Sequence, residues 1–71
     1  MLKYMNIIIN GEIKNIDSEK KIFSDLLELY SLNKNNIVVE INNKILNRNE
    51  FNECILNEGD KVNIFSFVGG G

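Results

Sequence analysis

Histidine is absent from the 71-residue sequence and cysteine occurs once. A Ser-His-Asp triad, a Cys-His pair and a four-ligand His/Cys zinc site are thereby excluded, because each needs side chains that this chain lacks. A single cysteine forms no internal disulfide, so nothing calls for an oxidising compartment and the cytoplasm is the expected location. Basic residues are not in excess either. Eight Lys and Arg against ten Asp and Glu leave a formal net charge of −2, without the positive field that holds a phosphate backbone, so nucleic acid is not an expected partner. The apolar run near the N-terminus, Ile7 to Ile9, is far too short for a signal-peptide core or a membrane span, and no membrane association is expected.

What is present suits one small domain. Hydrophobic residues make up 44% of the chain, and its length has material for a single core. Met5 to Asn10 reads as a strand ending at Asn10-Gly11, the dipeptide that best accepts the two positive φ values of a type I′ turn. Glu12 to Ile16 returns as its partner, although Ile13 and Ile16 are three apart and cannot both face inward on a regular pleat, so a bulge or one exposed Ile is expected. Phe23, Leu26, Leu27 and Tyr30 then fall on one helical stripe, which predicts a helix from Ile22 to Leu32, with Asp25 near its positive end and Asn33 in the left-handed conformation that closes it.

Ile37 to Ile41 reads as a strand with Ile37, Val39 and Ile41 on one face, followed by a turn at Asn42-Asn43 and a short strand from Lys44 to Leu46. Arg48 to Cys54 carries Phe51 and Cys54 three apart, as in a helical turn that plugs one side of the core. After a turn at Glu58-Gly59-Asp60, Lys61 to Val68 is the longest strand candidate. Hairpin, helix, strand, short strand and final strand describe an α+β plan with one helix crossing a mixed sheet and the last strand between the first and third, the β-grasp arrangement. Residues 1–68 form the expected domain, and residues 69–71 an expected flexible glycine tail.

Two features bear on chemistry. Gly69-Gly70-Gly71 has no side chains, so any reactivity there belongs to the terminal carboxylate. Three extended glycines reach roughly 10 Å and pass channels too narrow for other residues. A carboxylate with a pKa of about 3.5 is ionised at neutral pH and resists attack, so a second protein would have to activate it, for example as an acyl-adenylate made from ATP. A frayed terminus or a linker is the competing reading. The second feature is a surface. If Val62 and Ile64 face the core, parity places Phe65 and Phe67 on the helix-free face, where Ile8 and Val38 on neighbouring strands join them in a candidate partner interface; a bulge that flips the parity would bury one Phe instead. Cys54, with its apolar flank and no basic neighbour closer than Arg48, reads as a packed small hydrophobe. Glu50, Glu53, Glu58 and Asp60 show neither paired catalytic spacing nor a calcium-loop pattern and read as a solvated acidic surface.

The order of these pieces resembles the ThiS family of ubiquitin-like sulfur carriers. The likeness runs from Met5 onward through Asn10-Gly11, Asp25-Leu26-Leu27, Val39 to Ile45, Glu58 to Val62 and the ending Phe67-Val68-Gly69-Gly70-Gly71. The resemblance implies a protein cosubstrate rather than an enzyme, with no cofactor of its own. It further implies that a ThiF-like adenylyltransferase spends ATP to adenylate the terminal glycine, that sulfur from a cysteine desulfurase persulfide converts it to a thiocarboxylate, and that the thiazole synthase ThiG receives the sulfur for thiamine. The family ending is Gly-Gly, so the third glycine leaves the functional end at Gly71 as written or at Gly70 after trimming, with Gly71 favoured because nothing bulky follows. The small subunit of molybdopterin synthase, and a ubiquitin-like binding module that never activates its tail, are the alternatives.

Overall fold

In the computed structural model, residues 3–67 are described. The expectation of a flexible tail at residues 69–71 lies outside them. The elements are β1 (Tyr4–Ile9), β2 (Glu12–Asp17), α1 (Phe23–Leu29), β3 (Ile37–Ile41), β4 (Lys44–Leu46) and β5 (Lys61–Ser66), with 3-10 turns at Lys34–Asn36 and Arg48–Glu50. The strands form one sheet in the order β2-β1-β5-β3-β4. β5 lies parallel to β1 and antiparallel to β3, so the C-terminal strand is the middle of the sheet.

Local chemistry explains both hairpins. Asn10 and Gly11 have φ of 50° and 84°, and Asn42 and Asn43 have 51° and 71°, the positive pairs that two-residue turns require. The β1–β2 ladder continues without interruption from Ile9↔Glu12 to Tyr4↔Asp17, so no bulge rescues Ile13. It stays 73% exposed while Ile16 is buried. On the inner face Met5, Ile7, Ile16, Ile37, Val39 and Val62 meet Phe23, Leu26 and Leu27 of α1, and Phe51 and Leu56 close the side. No buried polar residue interrupts this core among the described residues.

The helix is shorter than its stripe predicts. It ends at Leu29, and Ser31, not Asn33, takes the left-handed conformation, with φ 54°. The Leu32 N–H donates to the Leu27 carbonyl at 2.8 Å and the Ser31 N–H to that of Glu28 at 3.2 Å, a Schellman closure that brings Leu32 back onto the core. Asn33 instead opens the next 3-10 turn, its side chain accepting from the Asn35 N–H at 2.9 Å. At the other end Ile22 has no capping side chain. The Phe23 and Ser24 N–H groups donate to the carbonyls of Cys54 and Phe51 at 2.8 and 3.0 Å, so the segment after the Arg48–Glu50 turn caps the helix with its own backbone.

The acidic residues also differ from a purely solvated surface. The Glu58 carboxylate accepts from the Asn6 N–H and the Glu50 carboxylate from the Asn47 N–H, each at 2.9 Å. Asp60 accepts from the Asn57 N–H at 2.8 Å and from the Asn42 amide at 3.0 Å. These carboxylates fasten turns. The last strand ends at Ser66 rather than Val68, a position outside the described residues, and Phe67 still donates its N–H to the Asn36 carbonyl at 2.9 Å.

Candidate functional site

β5 organises the site because it is the last strand before Gly69-Gly70-Gly71 in the sequence. Its pairing with β3 is continuous from Ile41↔Val62 to Ile37↔Ser66, so side-chain parity is preserved along its length. Val62 is fully buried and Ile64 packs on the core, which turns Phe65 and Phe67 to the helix-free face, 54% and 48% exposed. Val38 stands directly across from Phe65 and is 41% exposed. Three apolar side chains therefore cluster around the last described turn of chain before the glycines.

Ile8 is not among them. It pairs with Ile13 on one side and Lys61 on the other, while Phe65 is four residues further along β5, roughly 13 Å away at strand rise. Lys61, Asn63 and Glu40 form a polar band between the two ends of the face. The candidate interface read from the sequence leaves out three exposed apolar residues on this face: Ile13, Tyr4 at 55% exposure, and Ile45 at 61%, which pairs with Glu40. Strand parity carries the signal for all three. Gly69, Gly70 and Gly71 lie outside the described residues.

Two features hold β5 in place near its end. β1 stops before β5 does, and the Asn10 side chain continues the ladder by accepting the Ile64 N–H at 2.7 Å. On the far side, β3 and the Asn36 carbonyl hold Phe65 and Phe67. Cys54 is half-buried against the core, and burial, then the charges of Asp60 and Glu50, push its thiol pKa above the ordinary 9.0. A protonated, packed thiol is a poor nucleophile. Among the described residues no group of His, Cys, Asp or Glu is arranged to hold a metal ion, and no helix is long and apolar enough to cross a membrane.

A small mixed sheet crossed by one helix, its middle strand followed in the sequence by Gly69-Gly70-Gly71, is the arrangement of the ubiquitin-like carriers of the β-grasp fold. Residues 5–71 match the model of the ThiS family, and the chain belongs to that family. Its members are small sulfur carriers of thiamine biosynthesis, not enzymes. The chain is 32% identical over 63 residues to the sulfur carrier protein ThiS of Bacillus subtilis, covering 89% of this chain and 96% of that protein. It is 33% identical over 67 residues to a thiazole synthase of Paramagnetospirillum magneticum, covering 94% of this chain but spanning only 20% of that protein. The crystal structure of the thiamine biosynthesis protein ThiS from Geobacter metallireducens superimposes with a TM-score of 0.77 at 29% identity, covering 94% of this chain and 100% of that one.

Proposed function

We propose that the chain carries sulfur on the carboxyl group of Gly71, with Gly69 and Gly70 as the thread that enters partner active sites. The observation that carries this reading is the family match extending through residue 71, so that the glycine ending belongs to the matched region. In the first step the carboxylate attacks ATP bound by a ThiF-like adenylyltransferase, forming the acyl-adenylate and releasing pyrophosphate. The terminal sulfur of a cysteine desulfurase-derived persulfide then displaces AMP at the acyl carbon. A second thiol then attacks the donor's sulfur in the resulting acyl disulfide, forming a new disulfide with the donor, and the acyl-bound sulfur leaves with the electron pair as the thiocarboxylate on the carrier.

Delivery to a ThiG-type thiazole synthase follows. The Paramagnetospirillum relative supports this pairing, since a protein named thiazole synthase contains a segment similar to 94% of this chain. Phe65, Phe67 and Val38 supply the apolar contact that holds a partner while the tail is inserted, with Ile8 as an outlying member of the same face. The cytoplasm, with its reduced thiols and ATP, is the compartment this chemistry needs.

Intact mass spectrometry tests the proposal. After incubation with ATP, a cognate adenylyltransferase and a persulfide donor, the chain should gain the mass difference between sulfur and oxygen, and fragmentation should place it on Gly71. Gain at Gly70 would require loss of the last residue. An unchanged mass with an adenylyltransferase that loads its own carrier overturns the reading.

A further inference from the structure

Among the described residues the sheet has two edges without a strand partner, and they differ in length. β4 offers only three residues, whereas β2 offers six. The Ser18 N–H donates to the Lys3 carbonyl at 2.9 Å, which fixes the phase of the β1–β2 ladder: Glu12, Lys14 and Ile16 bond inward to β1. Ile13 and Asn15 therefore turn their N–H and C=O groups outward along the edge, whereas the Asp17 carbonyl already accepts the Lys20 N–H at 2.8 Å. Their backbone is a template for another strand.

The side chains along this edge complement themselves. Ile13, 73% exposed, sits on the helix-free face beside Ile8. Glu12 and Lys14 share the opposite face, their charged atoms 3.4 Å apart. A lysine at an edge ordinarily discourages pairing through like-charge contact, but an acid two residues away reverses that in an antiparallel arrangement. We propose that β2 is a self-pairing edge, on which a second copy of this chain adds antiparallel with Ile13 opposite Ile13 and Glu12 opposite Lys14 in both directions.

Other registers are worse. Outward-pointing residues must oppose one another, so the next possible shift sets Ile13 against Asn15 and brings Lys14 onto Lys14. The shift after that sets Ile13 against Asp17 and Lys14 against Ile16. The opposite shift sets Ile13 against Gly11 and brings Glu12 onto Glu12, and further shifts in either direction leave Ile13 outside the pairing. Only the proposed register joins both charge pairs and extends an apolar row from Ile8 through Ile13 into the second copy. The overlap runs from Gly11 to Asn15 in each copy, well short of the roughly 1,200–2,000 Å² of a stable interface, so the association is weak and concentration-dependent. β5 lies two strands away from the paired edge, which leaves Phe65, Val38 and Phe67 uncovered on both copies.

Sedimentation of the full chain at concentrations up to roughly 1 mM should show a mass rising toward the dimer. Glu12→Lys and Lys14→Glu should each weaken association about tenfold or more, and the double swap E12K/K14E should restore it. In a Cys54→Ala background, Ile13→Cys should oxidise to a covalent dimer, because directly paired residues have the Cα spacing a disulfide needs, while Asn15→Cys should remain monomeric. Circular dichroism checks that each variant is folded. A monomer at every concentration, a double swap that fails to recover, or crosslinking through Asn15→Cys as fast as through Ile13→Cys overturns the proposal. None of these readouts depends on sulfur chemistry.

Discussion

Ser31 holds a conformation that its side chain opposes. At φ 54° it occupies the position after α1 where glycine is usual, because the Schellman closure needs a left-handed residue there. Ser31→Gly should therefore raise stability by about 1 kcal/mol, read as a higher urea midpoint at unchanged slope. The sequence points to Asn33 for this role because Asn tolerates left-handed backbone better than Ser. What decides the matter is tertiary: closing the helix at Ser31 returns Leu32 to the core, which closing it at Asn33 would not do. Cys54 supports a second prediction. Its folded pKa lies above the unfolded value, so the folded state retains its proton longer, and the associated stability is full below the unfolded pKa and is lost as pH rises through the folded one. Thermal melts at pH values above 9.0 should show the wild type losing stability relative to Cys54→Ala, with no such divergence at neutral pH.

At the scale of elements, α1 depends on a segment distant in sequence. Seven residues do not form a stable isolated helix, and here the first N–H groups are satisfied by Phe51 and Cys54 carbonyls while the Phe51 ring meets Phe23 at 4.9 Å with a 60° tilt. Phe51→Ala should cost about 3–5 kcal/mol, a large part of the total stability of a small domain, and the loss of near-ultraviolet signal should coincide with loss of helix rather than follow it. This dependence explains what the sequence reveals and what it withholds. Asn10-Gly11 and Asn42-Asn43 mark their hairpins because positive φ is a property of the residues themselves. The plug at Phe51 is visible as an apolar residue in a polar stretch. Its role as a helix cap is not visible, because backbone carbonyls carry no side-chain signature. The same is true of Glu50, Glu58 and Asp60, whose spacing shows no chemistry but whose carboxylates fasten turns.

For the whole molecule, the sheet separates stability from recognition by its two faces. Val62 and Ile64 of β5 belong to the core, and Phe65 belongs to the other side, so neighbouring residues on one strand serve different ends. Parity makes this division legible in the sequence, and it correctly places Phe65, Phe67 and Val38 outward. It does not give distances along the strands, which is why Ile8 appears beside them in one dimension and roughly 13 Å away in the fold. A comparison of two variants uses that distance. Phe65→Thr and Ile8→Thr both place a β-branched residue on the helix-free face, at an exposed position for Phe65 and a half-buried one for Ile8, so both should stay folded within about 1 kcal/mol of the wild type. Under the proposed function, Phe65→Thr should lower kcat/KM for adenylation of the carrier at least about tenfold, since it removes an aromatic anchor from the tail-proximal end of the face, whereas Ile8→Thr should lower it several-fold less. Equal effects would mean that partners read the whole helix-free face and not its tail-proximal end. No effect from either would place the contact elsewhere on the molecule.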